Sequence, residues 1–183
     1  MEEYYWWKWN SGEVPENICK QLIEIGNDKW ESSTIQIPKE NKTDIRKSDV
    51  VWLEPNLARD SFWSYMEIAN HKALWKYNIT DIEACQLTRY KINDYYDWHK
   101  DQIGSHGGLR LNLEKKLTRK LSMSVILNSD FEGGKFEFFQ DDIGEMKMGS
   151  IITFPSFMDH RITPVTKGIR YSLVIWFLGP PFV

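Results

Sequence analysis

The chain has 183 residues, a formal net charge of −3 and 27% charged residues. That length suits a single domain with a substantial core. The slightly acidic balance, with no long basic run, argues against a nonspecific nucleic-acid binder, which needs a positive surface to displace phosphate counterions.

Met1-Glu2-Glu3 is not followed by a basic and then apolar stretch, and no apolar run reaches membrane-spanning length. A cytoplasmic protein without leader or membrane span is expected, and a monomer. Cys19 and Cys85 have no CxxC spacing, which predicts buried thiols in a reducing compartment. Val14 to Ile25 reads as a helix: Pro15 stands near its start, Ile18, Leu22 and Ile25 share a face, and Gly26 can end it. The polar stretch Ser32 to Lys47 reads as a loop and is a candidate substrate lid. Val50–Leu53 is a short strand candidate. A second helix is predicted from about Leu57 to Leu74, with Phe62, Met66, Ala69 and Ala73 on one stripe.

After Tyr77 the texture changes to short β-type runs separated by turn residues: Ile82–Tyr90, Tyr96–Asp101, Leu121–Leu127, Lys135–Phe139, Ser150–Phe154 and Arg170–Phe177. Between them, Gln102 to Arg119 carries three glycines and His106 and reads as a second long loop, either a lid or a surface connection. Helices followed by many short strands predict an α+β fold. Residues 1–183 form one domain, with helical support over about 1–75 and an antiparallel sandwich or barrel over about 80–183 carrying the site.

The chemistry concentrates in His99-Lys100-Asp101, His160 and Arg170. On a strand, residues two apart point to the same side, so His99 and Asp101 can bind one ion while His160 arrives from a distant segment. Two imidazoles and a carboxylate suit iron(II) and leave coordination positions open. In the last strand Arg170, Ser172, Val174 and Trp176 share one face and Tyr171, Leu173, Ile175 and Phe177 the other. A guanidinium buried there is costly unless it meets an anion, and its planar fork suits a carboxylate. Among the aromatic residues, Tyr96, Trp98, Phe136 and Trp176 are candidate wall material. Asp97 and Asp159, each close to a histidine in sequence, read as surface charges, and His71 as structural or exposed.

These residues closely resemble the prolyl 4-hydroxylase-like branch of the 2-oxoglutarate and iron(II)-dependent oxygenases. The pattern YxxGxxYxxHxD is met by Tyr90, Tyr96, His99 and Asp101, with Asn93 in place of glycine. The distal pattern HxxxPVxxGxR is met by His160, Pro164, Val165, Gly168 and Arg170. Asparagine tolerates the left-handed conformation better than most residues, so the turn can survive. The match runs from about Arg46 to the C-terminus. Arg46, Asp49 and Trp52 are loosely similar to an early strand of the hydroxylases that mark hypoxia-inducible factor, and bacterial and viral relatives share the pattern.

The resemblance implies a double-stranded β-helix, a jelly-roll relative, braced by the N-terminal helices. It implies iron(II) held by His99, Asp101 and His160. Arg170 would pair with the distal carboxylate of 2-oxoglutarate, helped by Tyr90, with Ser122, Ser124, Ile126 and Ser172 lining the co-substrate pocket. Tyr96, Phe136 and Trp176 would wall the site, with Arg119 near the substrate entrance. Two neutral histidines and an aspartate leave a net +1 at the ion, which favours the dianionic co-substrate. The activity implied consumes O2 and 2-oxoglutarate, releases succinate and CO2, and uses ascorbate as reductant. Its substrate would be a prolyl residue in a protein or peptide, with a free amino acid or other small molecule as the alternative. Nucleic-acid dealkylation, as in the AlkB family, is disfavoured because that family carries a second arginine where Trp176 stands. A non-catalytic binding module on a degenerate barrel is a further class.

Overall fold

The computed structural model describes residues 5–37, 43–83, 85–102, 111–112 and 116–182. The chain opens with β1 (Trp7–Trp9), α1 (Glu16–Ile25), β2 (Glu31–Ile37), β3 (Thr43–Leu53) and α2 (Pro55–Lys72). Short strands follow: β4 (Asp81–Ile82), β5 (Cys85–Tyr90), β6 (Tyr95–His99) and β7 (Leu111–Asn112). The long β8 (Leu117–Ile126) leads to β9 (Phe131–Gly133), β10 (Phe136–Phe138) and β11 (Ile151–Pro155). The chain closes with β12 (His160–Ile162), β13 (Val165–Gly168) and β14 (Arg170–Gly179). Strands pair in the order β1-β11-β8-β14-β5-β3-β6-β12-β10, with β2, β4 and β7 added beside β3, β14 and β8; β9 and β13 make a separate ribbon. The result is a strongly curled antiparallel half-barrel with few helices, as the α+β jelly-roll expectation requires.

Alternation sets what each side of the curl does. On β8 and β14 the odd-numbered residues Leu121, Met123, Val125, Leu173, Ile175 and Phe177 are all fully buried and join one core cluster. Cys19 and Leu22 of α1 and Phe62 and Met66 of α2 belong to the same cluster, so the two helices cover that face. The even-numbered residues turn into the curl, where Tyr90, Phe136, Phe138, Ile152, Phe154 and Ile162 form a second cluster. Both faces of β8 are therefore covered, and almost every residue of the strand is buried.

Both predicted helices are present, α1 beginning at Glu16 after an extended Pro15 and α2 with Pro55 in its first turn. The stripe Phe62, Met66, Ala69 and Ala73 is buried. Gly26 follows α1 in a right-handed conformation. A Cβ there would lie 2.6 Å from Leu87 Cδ2, so the position serves close packing of the helix end on the sheet rather than a left-handed turn. Asn93 does take the left-handed conformation, with φ 66°.

Two expectations are corrected. The stretch Ser32 to Lys47 is not a loop: it is mostly the antiparallel hairpin of β2 and β3, whose tip, 38–42, lies outside the described residues. The strand expected at Val50 therefore starts at Thr43. The first 75 residues also contribute β1 to the sheet, paired with β11. Within 102–119, residues 103–110 and 113–115, including His106, lie outside the described residues, while β7 and the start of β8 occupy part of the remainder. No described helix is long and apolar enough to cross a membrane.

Candidate metal and co-substrate site

His99 ends β6 and His160 begins β12, and the two are directly paired across that antiparallel ladder. Their rings lie 4.1 Å apart between centroids. Asp101, two residues past His99, places Oδ1 3.6 Å from His99 Nε2 and Oδ2 3.6 Å from His160 Nε2. Among the described residues this is the one group of three or more such side chains, with all ligand atoms within 4.8 Å of one another.

The backbone fixes which nitrogen faces inward. His99 Nδ1 is 2.8 Å from the Asp97 carbonyl and His160 Nδ1 is 3.0 Å from the Met158 carbonyl. A carbonyl can only accept, so each Nδ1 carries the proton and each Nε2 keeps its lone pair for an ion. Aromatic rings hold both imidazoles in orientation: Tyr96 stacks on His99 at 3.4 Å and 8°, and Phe136 lies nearly parallel to His160 at 5.4 Å. Burial, reinforced by His99, pushes His160 down to about 4, so it is neutral at physiological pH. Burial pushes Asp101 up, but the neighbouring His160, His99 and Arg119 outweigh it, and the carboxyl stays well below its usual range. His160 as a neutral imidazole and Asp101 as a carboxylate are thus prepared without further proton transfer.

Arg170 starts β14 opposite Tyr90 and is 1% exposed. Its Nη1 donates to Ser172 Oγ at 2.9 Å, while Nε and Nη2 have no partner among the described residues. Burial lowers it to about 10 and Tyr90 offsets part of that, so it stays cationic. A buried cation with two unused donors is unstable by itself, because desolvated donors are costly to leave unmade. A carboxylate would satisfy both. Tyr90 lies beside it, ring centroid 5.5 Å from Arg170 Cζ, and burial raises the phenol, keeping it a neutral hydroxyl.

The remaining candidates divide. Ser124 and Ser172 line a small cavity of about 40 Å³ that also meets Tyr90, Tyr96, His99, Asp101, Phe136, His160 and Trp176. Ile126 and Arg170 instead border a wider groove of about 930 Å³ beside it, with Phe136 standing between the two spaces. Ser122 is in register with Trp176 but its hydroxyl is engaged with Ser156 Oγ at 2.9 Å, away from the cavity. Arg119 is 2% exposed and stacks on Trp176 at 3.6 Å. Glu83 holds it through Nε at 2.7 Å and through Nη2, and Nη1 reaches the Asp101 carbonyl at 3.3 Å, so its donors are already in use.

Trp98 does not line the inner cavity but borders the wider groove beside it. Because His99 points in, its neighbour points out, against Phe139 and Arg161. Asp97 and Asp159 are exposed, as expected of surface charges, and Asp159 pairs with Lys100. The sequence reading missed Gln86, Phe154, Ile162 and Val174, which also line the inner cavity. Gln86 could have been found from period two: it precedes Thr88 and Tyr90 on one face of β5.

Three side chains that could hold a metal ion and a buried arginine with unused donors, set in a curled antiparallel half-barrel, suit a metal-dependent protein that takes an acidic co-substrate. The family model of the 2OG-Fe(II) oxygenase superfamily matches residues 85–178, and the chain belongs to that superfamily. A PKHD-type hydroxylase of Idiomarina loihiensis is 33% identical over 94 residues, which is 49% of this chain and 39% of that protein. The chain thus spans about two fifths of the length of the curated relatives it matches. Among solved structures it is similar to the 2OG complex of a viral collagen prolyl hydroxylase from Paramecium bursaria chlorella virus-1. The TM-score is 0.72 at 21% identity, over 96% of this chain and 97% of that one. It is also similar to a Trichoplax adhaerens prolyl hydroxylase in complex with a hypoxia-inducible-factor peptide, with TM-score 0.62 and 15% identity over 94% and 83%. Both likenesses are of fold.

Proposed function

We propose that the protein is a 2-oxoglutarate- and O2-dependent hydroxylase of a prolyl residue in a protein or peptide. One C–H, one O2 and one 2-oxoglutarate are consumed, and one C–OH, succinate and CO2 are formed. The observation that carries the reading is the pairing of two features on either side of Tyr90 and Ser172, which line the inner cavity and touch Arg170. Two inward Nε2 lone pairs meet a buried carboxylate, and a buried guanidinium nearby has two unused donors.

His99, Asp101 and His160 would hold iron(II), which when bound supplies the activation of O2 coupled to oxidative decarboxylation of the co-substrate. Arg170 would take the distal carboxylate through its idle Nε and Nη2, with Ser172 fixing the fork and the neutral Tyr90 hydroxyl as a further donor. Ser124 lines the same cavity and Ile126 the groove beyond Phe136, while Tyr96, Phe136 and Trp176 keep water from the reacting carbon. Ser122 supports the wall through Ser156. Ascorbate would serve as the reductant that keeps iron ferrous. The prolyl substrate is favoured by the relatives: the viral neighbour is a collagen prolyl hydroxylase and the Trichoplax one was solved with a peptide.

A library of proline-containing peptides incubated with iron(II), 2-oxoglutarate and O2 tests this. Gain of one oxygen on proline, matched by succinate, is expected. Hydroxylation of free proline or another small molecule with no peptide modified would overturn the peptide assignment.

A further inference from the structure

The wall of the inner cavity contains an amide donor that none of the roles above uses. Gln86, on the cavity face of β5, is 4% exposed and lines the space together with Tyr96, His99 and Trp176. Its Oε1 accepts from Arg46 Nη2 at 2.7 Å and from Thr88 Oγ1 at 3.4 Å. A guanidinium has donors only, so the amide atom that meets Arg46 must be oxygen. The carboxamide therefore cannot flip, and its NH2 group is turned away from Arg46. No hydrogen bond to Nε2 is made by any described residue.

Arg46 is itself held for this task. It is 5% exposed, its Nε donates to Ser48 Oγ at 2.9 Å, and its Cζ sits 4.9 Å from the centre of the Tyr96 ring. No carboxylate among the described residues pairs with it, so its strongest acceptor is the Gln86 amide. Arg119, the other guanidinium at this end of the cavity, is clamped by Glu83 and has no equivalent donor to offer. Trp52 and Trp176, with ring centroids 5.9 Å apart, stand beside Gln86, since Trp52 is its register partner on β3 and Trp176 lines the cavity with it.

We infer that Gln86 is a substrate-reading residue whose NH2 group donates to an oxygen next to the reacting carbon, with Arg46 as the residue that positions it. The acceptor class is a carbonyl or carboxylate oxygen. In the proposed function, on which this inference rests, that oxygen is the carbonyl of the target prolyl residue. A free imino acid would present its carboxylate to the same donor.

The test uses Gln86→Glu and Gln86→Leu in the full chain, with a decameric poly-L-proline peptide and free L-proline as probes. Binding is read anaerobically, in the presence of iron(II) and 2-oxoglutarate, by quenching of tryptophan fluorescence. Gln86→Glu keeps and strengthens the bond from Arg46 but has no donor, so a loss in this variant is not a folding defect. Both variants are expected to bind the probe that wild type binds about tenfold more weakly, the value of one lost hydrogen bond. The affinity of Gln86→Leu for 2-oxoglutarate should not change. Arg46→Gln should raise KM for the probe with a smaller effect on kcat, as loss of positioning requires. Wild-type-like probe affinity in Gln86→Glu would overturn the inference, as would failure of wild type to bind either probe. If wild type binds L-proline but not the peptide and the variants lose it, Gln86 stands while the peptide reading of the function falls.

Discussion

The two faces of one set of strands obey opposite rules. On β3, β5, β8 and β14 the odd-numbered side chains Val51, Leu87, Leu121, Met123, Val125, Leu173, Ile175 and Phe177 are apolar and pack beneath the helices. The even-numbered ones include Arg46, Ser48, Gln86, Thr88, Tyr90, Ser122, Ser124, Arg170 and Ser172, all buried and nearly all polar. Period two lets one strand serve both ends without compromise. The helix face supplies the stability, and the cavity face carries groups that cost stability until a ligand arrives. The unused donors of Arg170 and the unpartnered Trp176 Nε1 all lie on the second face.

Leu173→Ala on the helix face should separate the two faces most visibly. Truncating a fully buried leucine removes apolar burial and leaves a cavity, costing about 2–5 kcal/mol in unfolding free energy. Denaturant melts should show that loss, while iron(II) and 2-oxoglutarate affinities of the folded fraction stay as in wild type. Arg170→Met does the reverse. It removes a buried cation with unpaired donors, so the metal-free protein should melt at the same or a higher temperature, and calorimetry should show 2-oxoglutarate affinity falling about 100-fold, the worth of a charged, forked contact. A marked drop in stability for Arg170→Met would contradict the division of labour.

The smallest effect sharpens the helix side. Asp49 of β3 is held by Arg89 and Lys91; burial raises its carboxyl, but those two cations outweigh it and the net direction is downward. A carboxyl lowered on folding stabilises above its unfolded value and loses that contribution as pH falls toward its folded value. Asp49→Asn should therefore be less stable than wild type near neutrality. The gap should close as pH falls below about 4, where the unfolded carboxyl protonates. A gap independent of pH would assign the effect to packing instead.

How much of this was legible depended on whether a local pattern carried it. His99 and Asp101 two apart, His160 and Arg170 ten apart, and the alternation of the last strand were all readable; the structure brings the first three around one cavity and sets Arg170 against its neighbours Ser172 and Tyr90. The helices were readable because Phe62, Met66, Ala69 and Ala73 repeat at helical spacing. The β2–β3 hairpin was not, because Ser32, Ser33 and Thr34 look like loop composition. Such residues become a strand only through the neighbour β3 provides, pairing that the sequence does not display. β12 is three residues long and exists through pairing with β6 and β10. The use of Arg119 was also invisible, since Glu83 is far from it in sequence and meets it only in the fold. Gln86 shows the same limit: period two puts it on the cavity face, but only the contact with Arg46 fixes which end of its amide meets that guanidinium.

The proposed chemistry requires that the inward histidine nitrogens and Asp101 hold iron(II) and that the co-substrate joins it there. Anaerobic titration of the metal-free protein with iron(II) and then 2-oxoglutarate, in wild type and in His99→Ala, tests it by the visible absorption of the chelate. A saturable band is expected in wild type and none in His99→Ala. A folded wild-type protein that gives no band, or a band of equal strength in both proteins, would contradict it.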